Sequence, residues 1–206
     1  ATTLGRKTRI HAGSCSDDRS CLDGDCPAFL GVDAPVAEPV RFESLTSAEL
    51  PDPPRAEWDG DRFELQLVGI GSTGVVTIDA LLVRAAAHDG LYAMHLDQTG
   101  VAQRGGKVVS HCVLSRAPLS GSPRIEPGRA DVLLAFDPLG ASDRESLRAL
   151  DPARTRALVH DLYVPTGADV TTPGFEPPSS SELSGPLRAA TRSLERVPAE
   201  LLAEAA

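Results

Sequence analysis

The chain has 206 residues, 41% hydrophobic and 24% charged, enough for one well-packed domain with an appendage and too few for a large multidomain enzyme. Its 20 Lys and Arg against 29 Asp and Glu give a net charge of -9, which argues against nucleic acid or an anionic membrane as the partner. No apolar run reaches the length of a spanning helix, and the basic stretch Ala1 to His11 lacks the apolar core of a secretory signal, so a cytoplasmic protein is expected.

Residues 1–32 form a first block, basic and then cysteine-rich, with Cys15, Cys21 and Cys26 in a stretch poor in branched aliphatics. It reads as a metal-held loop. Residues 33–61 carry Pro51, Pro53 and Pro54 among acidic residues and show neither helical nor strand periodicity, so a linker is expected there. Trp58 is expected to dock this linker onto the domain that follows, spanning 62–206.

Within that domain Arg62 to Gly71 reads as a buried strand, because Phe63, Leu65 and Leu67 alternate and then run into Val68 and Ile70. From Thr73 to His88, Val75, Ile78, Leu82 and Ala85 recur at helical spacing, with Gly90 as the stop. Leu91 to Gln98 reads as a second strand, which would complete a right-handed crossover unit of a parallel sheet. Strands over Lys107 to Arg116, Ala130 to Phe136 and Thr155 to His160 and a helix over Asp143 to Leu150 continue the α/β order. A Pro- and Ser-rich loop is expected over Thr171 to Ser181, then helices over Leu183 to Leu194 and Ala199 to Ala205. The apolar pattern at the carboxyl end has no capping signal, and truncation of the domain is expected there.

Gly69, Gly71 and Gly74 spell G-x-G-x-x-G between the first strand and its helix, where glycines allow a tight turn, a phosphate against the backbone and close packing. Asp97, ending the second strand, could accept from a ribose hydroxyl. The same glycines could equally serve packing alone, with Asp97 capping a loop. Leu96 to Val109 is polar and glycine-bearing between two strands. At the carboxyl end of a parallel strand, its Gln98, Gln103, Arg104, Gly105 and Gly106 would line a ligand crevice, the bland alternative being a solvated turn. Ser110 and His111 are adjacent, hence on opposite faces of a strand, and form no nucleophile pair. The single histidines His88, His95 and His160 read as structural.

The three thiolates Cys15, Cys21 and Cys26, with Pro27 after the last, suit soft-metal ligation. Iron–sulfur fits better than zinc, whose structural ligands come in closer pairs. His11 or Cys112 could complete the set, although Cys112 lies on a core strand where a buried structural thiol is expected.

The segments RKTRIHAGSCSDDRSCLDGDCPAFL, LVGIGSTGVVTIDALL and LDQTGVAQRGGKVVSH, followed in order by PRIEPGRADVLLAFD and LVHDLYVPTGA, resemble the indolepyruvate:ferredoxin oxidoreductases. These are a branch of the thiamine-dependent 2-oxoacid:ferredoxin oxidoreductases. The resemblance implies that residues 1–32 end an iron–sulfur (ferredoxin-like) region and that residues 62–206 form a gamma-type α/β domain. That domain would be a three-layer sandwich with a mostly parallel or mixed sheet.

By position, Cys15, Cys21 and Cys26 match cysteines of a 4Fe-4S region, and Gly69, Gly71 and Gly74 match the glycine turn. Gln98, Thr99, Gly100, Gln103, Arg104, Gly105 and Gly106 match the inter-strand loop. Ser72 and Cys112 depart from the pattern, which holds a glycine and an aliphatic residue there. Thiamine diphosphate is held through magnesium by a Gly-Asp-Gly motif and a later asparagine, and the chain has no asparagine.

The resemblance thus implies a fragment or subunit of an enzyme that oxidatively decarboxylates an aryl 2-oxo acid to its coenzyme A ester and passes electrons to ferredoxin. No catalytic residue is assigned to this chain. Thiamine diphosphate, Mg and coenzyme A would belong to the complete enzyme, with a thiamine-binding module as partner. The alternative is a stand-alone dinucleotide-binding Rossmann-like protein built on Gly69 to Asp97.

Overall fold

The computed structural model describes residues 58, 60–71, 73–100, 106–166, 169, 171–199 and 202. The chain divides into two units, Ser16–Asp59 and a larger one containing Gly60–Ala206. Every element below belongs to the larger unit. Residues 1–32 and nearly all of 33–61, with Cys15, Cys21 and Cys26, lie outside the described residues.

Six strands make one sheet in the order β2-β3-β1-β4-β5-β6. They are β1 (Arg62–Ile70), β2 (Tyr92–Thr99), β3 (Lys107–Ser115), β4 (Val132–Ala135), β5 (Arg156–His160) and β6 (Ser193–Val197). The helices are α1 (Val75–His88), α2 (Pro138–Ala141), α3 (Arg144–Leu147) and α4 (Ser180–Ala190). From β1 to β6 the strands pair in parallel, whereas β3 is antiparallel to both β1 and β2. The sheet is therefore mixed, with helices on its two faces.

Alternation along β1 explains why two cores form. Leu65 and Leu67 turn to one face and pack with Val75 of α1 and with Val108 and Cys112 of β3. Val68 turns to the other and joins Val109, Leu133, Ala135, Val159 and Leu187 of α4. The apolar stripe of α1 thus has a sheet face to bury, as its spacing requires. Gly74 takes φ 77° as the residue before α1, a left-handed conformation suited to glycine.

Three features depart from the sequence expectations. β1 and β2 run in the same direction, but β3 lies between them, so they are not adjacent strands of a parallel sheet. The helix expected over Leu183 to Leu194 ends at Ala190, and Leu194 belongs to β6, whose hydrogen bonds come from β5. The helix expected over Asp143 to Leu150 shortens to α3, and α2 was not anticipated; Asp137 caps it, accepting from the Gly140 N–H at 2.6 Å. No described helix is long and apolar enough to cross a membrane.

Candidate functional site

The two glycine-bearing segments meet. The Gly71 N–H donates to the Gly106 carbonyl at 2.8 Å, joining the turn after β1 to the segment before β3. Gly69 is a packing glycine: a Cβ there would meet Val75 Cγ2 at 2.5 Å and Thr73 Oγ1 at 2.6 Å. Thr73 Oγ1 donates to the Ile70 carbonyl at 2.7 Å and closes the turn. Gly74 has open space around it, and α1 begins there without a side-chain cap. Gln103, Arg104 and Gly105 lie outside the described residues, as does Ser72. Thr99 ends β2 and Gly100 follows it.

Gln98 is separated from the glycine turn by the sheet. The register sets Gln98 opposite Val109 and Val109 opposite Val68, on the face away from α1. There a cavity of about 1390 Å³ opens, lined by Gln66, Gln98, His111, Arg124, Arg144 and Arg148 among others. His111 Nε2 lies 3.1 Å from Gln98 Oε1, and His111 Nδ1 accepts from the Ile125 N–H at 3.4 Å. Those contacts match a neutral ring with its proton on Nε2. Burial, with Arg124 nearby, holds the His111 pKa below its usual range and agrees with that form. Gln66 is 2% exposed, and its Oε1 has no hydrogen-bond partner among the described residues. Such an acceptor on a cavity wall is satisfied by a ligand or a water.

Lys107, directly after Gly106, reaches Asp143 at 2.5 Å and Glu145 at 3.2 Å. Burial lowers the Lys107 pKa, but the two carboxylates outweigh it and the net shift is upward. This pair ties the start of β3 to α3. A second polar group, which the sequence did not single out as a unit, sits on the α1 face. His95 Nδ1 lies 2.6 Å from Asp79 Oδ2 and 3.7 Å from Asp97 Oδ2, and Ser110 donates to Asp97 Oδ1. One signal was available: Asp79 falls four residues after Val75 and three before Leu82, inside the apolar stripe of α1.

Cys112 is the one cysteine among the described residues, fully buried and free. Burial first, then the neighbouring Asp79, pushes its pKa to about 12. A neutral thiol in that setting does not suit an iron–sulfur cluster.

Together these features define an α/β domain with a mixed sheet, a glycine turn at one strand end and a cavity on the opposite face that carries several polar and basic side chains. The model of the pyruvate ferredoxin/flavodoxin oxidoreductase family matches residues 64–205. Over 150 residues the chain is 32% identical to the indolepyruvate oxidoreductase subunit IorB of Archaeoglobus fulgidus, covering 70% of this chain and 69% of that protein. The chain belongs to the pyruvate ferredoxin/flavodoxin oxidoreductase family.

Two solved structures are also similar. The pyruvate oxidoreductase subunit PORC of Thermotoga maritima is 15% identical, over 67% of this chain and 62% of that one, with a TM-score of 0.43. The keto/oxoacid ferredoxin oxidoreductase gamma subunit of Geobacter sulfurreducens is 23% identical, over 48% and 51%, with a TM-score of 0.36. The chain spans less than two thirds of the length of either.

Proposed function

We propose that this chain is the gamma-type part of an indolepyruvate (aryl 2-oxo acid):ferredoxin oxidoreductase and is not catalytic alone. The carrying observation is the 32% identity to IorB over 69% of that subunit. The oxidative decarboxylation to an acyl-coenzyme A, with electrons passed to ferredoxin, belongs to the assembled enzyme. Thiamine diphosphate with its magnesium would be held by a separate module, since this chain has no asparagine to complete the motif. Coenzyme A likewise enters only with the complete enzyme. We place the assembly in the cytoplasm.

In this reading Cys15, Cys21 and Cys26 contribute thiolates to a 4Fe-4S cluster whose remaining ligands lie outside this chain, and a cluster there would carry electrons. The role of this chain's described residues is to bind and position. Gly71, Gly74 and Gly106 would offer backbone amides at the edge of the cofactor crevice, with Gly69 allowing the close approach of β1 and α1 behind them. The inter-strand loop, with Thr99, Gly100, Gln103, Arg104 and Gly105, would take part in cofactor binding beside that turn, while Gln98 would act from the cavity on the opposite face. The Gly71 to Gly106 hydrogen bond, which holds the two segments together, supports that grouping.

Co-expression with the thiamine-binding subunit tests the reading. The complex is expected to turn over indolepyruvate with ferredoxin, and this chain alone is not. Turnover by the isolated chain, or failure of the two to associate, overturns it. Anaerobic iron and sulfide reconstitution of the complex should give cluster absorption that is lost in Cys15→Ser, Cys21→Ser and Cys26→Ser; unchanged absorption removes the ligand role.

The stand-alone dinucleotide reading has less support. Its ribose-binding acid belongs on the strand beside the glycine strand, whereas β3 separates β1 from β2 and Asp97 Oδ1 already accepts from Ser110.

A further inference from the structure

Asp79 is out of keeping with its surroundings. It sits on the buried face of α1 with Val75 and Ala86, 0% exposed, beside Cys112 and Leu82. Burying a carboxylate is costly unless hydrogen bonds and opposite charge compensate. Yet only Oδ2 is engaged, by His95, and Oδ1 has no hydrogen-bond partner among the described residues. The Cys112 thiol is near enough to interact with it but outside good hydrogen-bond geometry. No lysine or arginine is among the groups that set the Asp79 pKa, which burial pushes upward.

We propose that Asp79, His95 and Asp97 form a binding site for one divalent transition metal of the zinc class, clamping α1 to β2. The register builds it: His95 and Asp97 are two apart on β2, hence on one face, and pair with Cys112 and Ser110 of β3. Asp79 descends onto that face from α1. Ser110 holds Asp97 by Oδ1, which leaves Oδ2 facing His95.

One ligand atom from each residue lies within 4.8 Å of the other two. A tetrahedral ion with ligands at about 2.1 Å needs its donors roughly 3.4 Å apart, so small side-chain shifts complete the set, and water takes the fourth position. One imidazole nitrogen with two carboxylates suits zinc and its neighbours, whereas calcium takes six to eight oxygens. The His95 side chain is 41% exposed on an edge strand, which gives the ion a path in.

The test uses the full chain with Cys15, Cys21 and Cys26 changed to serine, so that no cysteine-rich segment competes for metal. After chelation it is titrated with zinc sulfate by calorimetry, with melting temperature followed in parallel. One equivalent is expected to bind with micromolar affinity and to raise the melting temperature. Because Asp79→Asn alters a buried helix position, His95→Gln and Asp97→Asn carry the comparison. Each should weaken zinc binding at least tenfold and abolish the thermal shift while keeping the parent's far-ultraviolet circular dichroism. Absence of saturable binding in the parent, or unchanged binding in both variants, overturns the proposal.

Discussion

Single side chains set measurable limits on this domain. Gly69→Ala would drive a methyl group to within 2.6 Å of Thr73, in the turn, and of Val75, at the start of α1. A loss of about 1–3 kcal/mol is expected from overpacking, read from the urea midpoint. His111 makes a pH prediction of definite sign. Its folded pKa is depressed below the ordinary 6.5, so the folded state binds fewer protons than the unfolded one. The associated stability is complete above about pH 6.5 and falls as pH drops through the window down to the folded pKa. His111→Gln should flatten the dependence of melting temperature on pH in that window, relative to wild type. At this scale the sequence was half informative. It marked the strand-to-helix junction at Gly71 and the loop end at Gly106, because glycine spacing is local, while Gly69 lies in β1 and serves packing. It hid the grouping of Asp79, His95 and Asp97, because their meeting depends on which face of β2 lies under α1.

Elements reveal a similar division. α4 begins with a reciprocal capping box, in which the Ser179 N–H donates to Glu182 Oε2 at 2.7 Å and Ser179 Oγ accepts from the Glu182 N–H at 3.3 Å. Ser179→Ala should cost about 1 kcal/mol, measurable as a lower urea midpoint. The strands β1 to β5 were legible because each carries a run of branched aliphatics or an alternating pattern. β6 was not: SLERV has only Leu194 and Val197 to mark it, and it is an edge strand held from one side. α2 escaped because four residues hold barely one turn, and its start depends on a cap by Asp137. The insertion of β3 between β1 and β2 is a pairing between distant segments, which periodicity does not encode.

In the whole molecule the two cores share a spine. Leu67 on β1 and Leu133 on β4 are both 0% exposed and belong to opposite faces of the sheet. Leu67→Ala and Leu133→Ala should each cost about 2–5 kcal/mol, and unfolding should remain a single transition in both. Two separated transitions would mean that the faces melt independently. The position of β1 also has a consequence during synthesis. Its neighbours are β3 and β4, which emerge from the ribosome long after it, at roughly 5–20 residues per second. For several seconds the nascent chain therefore offers a hydrophobic strand with two open edges, a template for misassociation. Production of this protein should accordingly be sensitive to chaperone supply and to the tempo of translation between Ile70 and Ala135.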